Sequence, residues 1–259
     1  MEITLMQGLL LTLLAFFLTS DVVLEYALIS RPLITSTLTG IILGEPALGL
    51  AGGALCELTY VGLVGVGGVP VPNPLIAAIM TVVLAYTNQV DVAAALGLSL
   101  PFALLAQYLS LIARSMFSGF MPKIDAYAKE GDTKKFIRLV LFGPFLYMLM
   151  YALLIFLSVY AMQQPIIAFV NSFPEFLVHG LKTAGNLLPG IGLACLLRVM
   201  LKKENISYLF IGFLMATYLQ LGNVLPVAIA GAAVAFIGYL YDKGKYRSDS
   251  DGGEISDGI

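Results

Sequence analysis

Four stretches of this chain, residues 3–19, 92–113, 139–174 and 205–241, run without a single Asp, Glu, Lys or Arg. An uncharged, mostly apolar run of about 18 residues or more has the length of a bilayer span, and two of these runs are long enough for a pair. In hydrocarbon an unpaired backbone amide costs several kcal/mol, so such spans must close their own hydrogen bonds as helices. The period-2 alternation of a lipid-facing barrel strand is absent. Composition points the same way: 59% of the 259 residues are hydrophobic and 12% charged, against about 25% charged in soluble domains. The expected fold class is an all-α polytopic membrane protein whose solvent is lipid.

Several functions are excluded early. A formal net charge of −2 gives no electrostatic basis for a nucleic-acid partner. The first apolar run opens on Met1-Glu2 with no basic residue, and Leu18-Thr19-Ser20 is a poor cleavage site, so it reads as a retained helix rather than a secretion signal. Cys56 and Cys195 lie in apolar segments without paired spacing and read as small packing residues. No Walker loop, His-Glu-x-x-His or nucleophile elbow occurs, which argues against ATP hydrolysis and zinc proteolysis. The single histidine, His179, rules out a histidine metal cluster. No cofactor and no catalytic residue are expected.

Charge placement predicts the topology. Residues 114–138 carry Arg114, Lys123, Lys129, Lys134, Lys135 and Arg138 against Asp125, Glu130 and Asp132, so the positive-inside rule makes this segment cytoplasmic. Arg198, Lys202 and Lys203, and the tail residues Lys243, Lys245 and Arg247, are expected on the same side, which leaves the C-terminus cytoplasmic. The chain thus divides into an N-terminal membrane half (1–113), a cytoplasmic basic loop (114–138), a C-terminal membrane half (139–241) and a disordered tail (242–259). Crossings at 139–162, 186–201, 205–221 and 224–241 satisfy these sides, with Gly222-Asn223 as a turn.

Segment 165–185 carries Pro174, Glu175, His179, Gly180 and Lys182, too polar and too short to cross twice, and reads as a re-entrant or interfacial hairpin. In the first half Pro32, Pro46 and the run Val69-Pro70-Val71-Pro72-Asn73-Pro74 break the apolar sequence into half-length pieces, 33–44 and 47–56. Short Gly/Pro-interrupted segments in both halves point to a transporter site near the bilayer midplane. Gly40, Gly44, Gly49 and Gly53 have the spacing of a face where helices approach closely.

An ionisable residue at the bilayer centre costs about 2.5–3.5 kcal/mol, so each one needs a reason. In the first half these are Asp21, Glu25, Arg31, Glu45 and Glu57, with the amide of Asn73. Glu25 and Arg31 are close enough in sequence to pair, and Glu45 beside Pro46 suits the headgroup region. Glu57 has no basic residue within a dozen positions, and Asn73 sits between two prolines. Together they offer acceptors and a donor on irregular backbone, which is what sugar hydroxyls require. Glu175, His179, Lys182 and Asn186 share one helical face, suited either to a solute path or to the wet side of an interfacial hairpin. Tyr60, Gln107 and Gln220 read as hydrogen-bond partners for neighbouring helices. The expected sugar-binding set is Glu57 and Asn73, then Glu25, Glu175 and His179.

The runs Arg31-Pro32-Leu33-Ile34, Thr39-Gly40-Ile41-Ile42-Leu43-Gly44, Gly49-Leu50-Ala51-Gly52-Gly53-Ala54-Leu55-Cys56-Glu57-Leu58 and Val71-Pro72-Asn73-Pro74 carry a family likeness. So do Pro174-Glu175, His179-Gly180-Leu181, Ala184-Gly185 and Leu225-Pro226-Val227. Across nearly its whole length the chain resembles the IIC subunit of the mannose/fructose/sorbose phosphotransferase family. Glu2-Ile3-Thr4-Leu5, Pro72-Asn73-Pro74 and Gly258-Ile259 look most like its N-acetylgalactosamine/galactosamine branch. The resemblance implies a permease built as an inverted repeat, with a mobile sugar-carrying core and a scaffold, working as an elevator in the bacterial inner membrane. It also implies a IID partner in a trimer of heterodimers, and phosphorylation of the sugar on a cytoplasmic IIB subunit charged by IIA. The residues alone leave two other readings open: an ion-coupled secondary transporter using Glu57, and an intramembrane enzyme using His179.

Overall fold

The computed structural model describes residues 2–24, 27–63, 71–219 and 223–251. These form two compact units, Met1–Val199 and Met200–Ile259. As expected, the fold is all-α, with no strand among the described residues.

The first unit opens with α1 (Leu5–Leu24), α2 (Pro32–Leu43), α3 (Pro46–Tyr60) and α4 (Pro74–Asn88). It continues with α5 (Val92–Ser118), α6 (Met121–Glu130) and α7 (Thr133–Phe156), which ends in a π turn, Leu157–Ala161. It closes with α8 (Gln163–Asn171) and α9 (Glu175–Met200). The second unit holds a 3-10 turn, Lys203–Asn205, then α10 (Ile206–Tyr218) and α11 (Leu225–Asp251). The basic segment 114–138 is largely helical, made from the end of α5, α6 and the first turns of α7. Residues 252–259 of the tail lie outside the described residues.

Helices Leu5–Val22, Val92–Ser118, Thr133–Ala161 and Glu175–Met200 are long and apolar enough to cross a membrane. Their apolar stripes face outward. Leu9, Leu13 and Phe17 on α1, and Leu141, Phe145, Leu149 and Leu153 on α7, recur every four residues and are all exposed. In water such a stripe would be a core-facing surface; here it fits lipid contact.

The prolines that interrupt the sequence start helices rather than simply ending them. Pro32, Pro46 and Pro74 occupy the first turns of α2, α3 and α4, where a missing amide hydrogen leaves no helical bond unmade. With 12 and 15 residues, α2 and α3 are about 18 and 22 Å long, short of the roughly 30 Å hydrocarbon core. They fold back on each other as a re-entrant hairpin. Its turn is closed by Gly44, whose φ of 84° suits a residue without a Cβ and whose amide donates to the Gly40 and Ile41 carbonyls.

The glycine series therefore has two jobs. A Cβ on Gly40 would lie 2.7 Å from the Gly49 Cα, and one on Gly53 would lie 3.0 Å from the Leu33 Cα, so these residues let the two backbones touch. Gly44 has nothing near it and serves the turn.

A second hairpin, α4 and α5, turns at Gln89, also left-handed with φ of 57°, and the Asp91 carboxylate caps α5 by accepting from the Ala93 amide at 2.9 Å. Helix α4 is the axis of the unit: Leu75 to Ala85 are all buried. Hydroxyls tie it to its neighbours, Ser36 donating to the Ala78 carbonyl at 3.1 Å and Thr81 to Ser99 at 3.1 Å. Buried Cys56 lies against Thr81, with its sulfur 3.5 Å from the hydroxyl, and both cysteines are free.

Segment 165–185 is rearranged relative to the expected hairpin. Its polar residues open a helix that runs unbroken from Glu175 to Met200, so the second limb and the crossing expected at 186–201 are one element. Pro174 precedes the first turn, where it costs no helical bond. Gly185 seats against the Ala93 carbonyl of α5, and Gly192 against the Leu58 and Thr59 carbonyls of α3. The N-terminus is pinned near α8: the Ile3 amide donates to the Gln163 side chain at 2.9 Å, which donates back to the Ile3 carbonyl at 3.3 Å.

Candidate functional site

The two hairpins lie side by side with their open ends together. There the starts of α2 and α4, the end of α3 and the end of α1 enclose a cavity of about 350 Å³. Its polar lining is Asp21, Ser30, Arg31, Glu57, Tyr60 and Asn73. The volume is within the usual range for a small-molecule site, about 300–1,000 Å³. Two helix N-termini border it, so the partial positive charge of their free amides favours carboxylates and other acceptors there.

Glu57 is not the isolated charge its sequence neighbourhood suggests. Its Oε1 lies 3.2 Å from Arg31 Nε, and its Oε2 accepts from the Leu33 amide at 3.2 Å, in the first turn of α2. Arg31 thus pairs across the hairpin with Glu57. Glu25, the nearer carboxylate in sequence, lies outside the described residues. The carboxylate of Asp21, only 1% exposed, accepts from the Ala27 and Ser30 amides at 2.8 Å each and so holds the segment that leads into Arg31.

Asn73 caps α4, its Oδ1 accepting from the Ile76 amide at 3.1 Å. Its Nδ2 donates to the Tyr151 hydroxyl at 3.0 Å, and its backbone amide donates to the Ala103 carbonyl at 3.1 Å. Each end of the side-chain amide keeps one further hydrogen-bonding capacity. Tyr60 differs from the expectation that it bonds a neighbouring helix: its buried hydroxyl has no partner among the described residues, and the residue lines the cavity. The signal for Tyr60 was its place three residues after Glu57, on the same face of one helix.

Glu175 and His179 lie elsewhere. With Gln89, Asp91 and Lys182 they line a cavity of about 390 Å³ at the far end of α4. Asn73 caps one end of this 15-residue helix and Gln89 follows the other, so the two cavities are separated by about 22 Å along its axis. Lys182 Nζ reaches Asp91 Oδ2 at 3.2 Å, tying α9 to the start of α5. A third cavity of about 440 Å³, between α1, α5 and α7, is mostly apolar, with Arg114 and Tyr147 among its lining residues. Among the described residues no group of three His, Cys, Asp or Glu could hold a metal ion. Of the sequence-expected residues, Glu57 and Asn73 share one cavity, and Glu175 and His179 share another.

Residues 5–237 match the family described as PTS system sorbose-specific IIC component. The chain belongs to this family. It is similar to N-acetylgalactosamine permease IIC component 1 of Escherichia coli (strain K12), 45% identical over 247 residues, covering 95% of this chain and 92% of the relative. Among solved structures, one described only as a membrane protein covers 95% of this chain and 99% of its own, with a TM-score of 0.84 at 24% identity. The cryo-EM structure of mannose transporter ManYZ in complex with microcin E492 covers 93% and 97%, with a TM-score of 0.58 at 25% identity. The IIC chain is thus a helical, multi-pass membrane protein whose relatives are permease components, transport subunits of the phosphotransferase system.

Proposed function

We propose that this IIC chain carries N-acetylgalactosamine or galactosamine inward, binding the sugar in the cavity at Glu57 and Asn73. The observation behind this is the convergence there of groups with unused hydrogen-bonding capacity: the Tyr60 hydroxyl, the second amide hydrogen and lone pair of Asn73, and the remaining lone pairs of Glu57. Sugar hydroxyls both donate and accept, so they match such a mixed set. The substrate class is supported by the 45% identity to an N-acetylgalactosamine permease IIC component.

Electrostatics fits the same reading. Two carboxylates, Asp21 and Glu57, and one guanidinium, Arg31, line the cavity, a balance that suits a neutral or cationic amino sugar. Phosphorylation on IIB, itself charged by IIA, would then trap the sugar after elevator-type alternating access has brought it to the cytoplasmic side. The IIC chain works in this scheme with a IID subunit in the inner membrane, its C-terminus cytoplasmic. The mannose transporter ManYZ offers a structural neighbour for such an assembly. Glu175 and His179, at the far end of α4, are proposed as residues of an outer vestibule, and Glu25 as a further residue of the sugar path.

The test is uptake of labelled N-acetylgalactosamine by cells carrying the chain with its IID, IIB and IIA partners, in competition with galactosamine and mannose. Uptake should vanish without IIA and IIB; uptake that persists would favour ion-coupled transport. Tyr60→Phe offers a finer probe. Removing a buried hydroxyl without a partner should hold or raise the melting temperature, while loss of a sugar hydrogen bond worth about 1 kcal/mol should raise KM about fivefold. A KM equal to wild type would remove Tyr60 from the site.

A further inference from the structure

We propose that Tyr151, on α7, fixes which way round the Asn73 amide stands and so sets the hydrogen-bonding pattern offered to the sugar. This rests on the site reading above. Tyr151 is buried, 1% exposed, and does not line the cavity. Its hydroxyl donates to the Ala106 carbonyl of α5 at 3.0 Å, accepts from Asn73 Nδ2 at 3.0 Å and accepts from the Tyr147 hydroxyl at 3.0 Å. A phenol has one hydrogen and two lone pairs, and these partners, together with the Ser110 hydroxyl, use all of them.

The logic of the amide follows from these directions. The Ala106 carbonyl can only accept, so it takes the Tyr151 hydrogen. Toward Asn73 the phenol oxygen can then only accept, and it must meet the NH2 group rather than the carbonyl oxygen. On the other side the Ile76 amide can only donate, so it must meet Oδ1. Two independent constraints, one from α7 and one from the first turn of α4, select the same orientation. They leave one N–H and one lone pair of Asn73 with set polarity for the sugar.

Tyr147 supports the arrangement, its ring stacked on that of Tyr151 with centroids 4.7 Å apart and planes at 26°. It also lines the larger cavity between α1, α5 and α7. A chain of hydrogen bonds, Tyr147 to Tyr151 to Asn73, therefore runs from one cavity to the other.

Tyr151 is a positioning residue, so its test must separate sugar affinity from folding. In the purified complex, Tyr151→Phe should weaken N-acetylgalactosamine binding about tenfold, the order expected when an oriented hydrogen bond is lost. Uptake should show the same rise in KM, with maximal rate and membrane abundance within about twofold of wild type, because the ring and its packing remain. A role in packing alone would instead lower abundance and maximal rate at constant KM.

The decisive comparison is a double-mutant cycle on binding. Asn73→Ser should itself weaken binding, and adding Tyr151→Phe to it should change affinity less than about twofold, since the residue acts through Asn73. A full tenfold further loss in that background would overturn the inference. If Asn73→Ser binds sugar as wild type does, the site reading fails and the inference with it; if it weakens binding while Tyr151→Phe does not, only the inference fails. Should Tyr151→Phe not accumulate, Tyr147→Phe decides: KM is expected to rise about two- to threefold through the weakened hold on Tyr151, and an unchanged KM would overturn it.

Discussion

Replacing Glu57 by alanine is expected to reduce sugar uptake by about 100-fold or more, with the protein still present in the membrane fraction. Two losses combine. A charge-assisted hydrogen bond to a sugar hydroxyl is worth about 1.5–3 kcal/mol. In addition, Arg31 and the Leu33 amide lose the carboxylate that holds them at 3.2 Å each, so the first turn of α2 no longer presents a fixed wall to the cavity. Stability should change little, because the side chain of Glu57 is 24% exposed and that of Arg31 57%, and such a pair contributes about 0–1 kcal/mol.

Glu57→Gln should fall between, near tenfold, since an amide oxygen can still accept from Leu33 but the attraction to Arg31 is gone. Glu175→Ala and His179→Ala, at the other end of α4, should cost less than about fivefold, as expected of rim contacts in high dielectric. Uptake kinetics with immunoblots of the membrane fraction measure all four. Normal uptake by stable Glu57→Ala protein would defeat the assignment.

Gly49→Ala is expected to lower membrane abundance at least about fivefold, a larger effect on folding than any cavity substitution. The added Cβ would sit 2.5 Å from the Ser36 carbonyl oxygen and 2.9 Å from the Gly40 Cα. These are backbone atoms of the facing helix, so no rotamer change relieves the clash and α2 must move away from α3. Overpacking of this kind costs about 1–3 kcal/mol or more. It also splays the two arms that carry Arg31 and Glu57, so the surviving protein should bind sugar poorly. Gly44→Ala is the control on the same hairpin: it meets open space and bears only the cost of a left-handed φ, about 1 kcal/mol. Detergent-extracted protein followed by size-exclusion fluorescence distinguishes the two. Wild-type abundance for Gly49→Ala would show that the helices do not touch at this point.

Two lining residues of the candidate site, Glu57 and Asn73, stood out in the sequence because their oddity is local. Prolines on both sides of Asn73 exclude it from a regular helix interior, and a glutamate in a charge-free stretch had to have a purpose; that Asn73 caps α4 came only with the structure. The partners were not legible. Arg31 and Glu57 are 26 positions apart, and only the folding back of α2 on α3 brings their charges together; sequence distance alone favoured Glu25. Glu175 and His179 share a helical face with a chemistry much like that of Glu57, yet that face is delivered to the opposite end of α4. Nothing in a residue's own neighbourhood encodes which end of another helix it meets.

Composition and charge spacing were enough to set the solvent and the element type: long uncharged runs cannot be hydrated cheaply or left with unpaired amides, so they become membrane helices. The tertiary structure alone decided which polar groups share a pocket and which are already occupied. Hydrogen bonds and ion pairs act over about 3 Å, a range set by how helices pack rather than by their order along the chain. That is why the Tyr60 hydroxyl without a partner among the described residues, the pairing of Glu57 with Arg31 and the hold of Tyr151 on Asn73 emerge only once the helices are packed against one another.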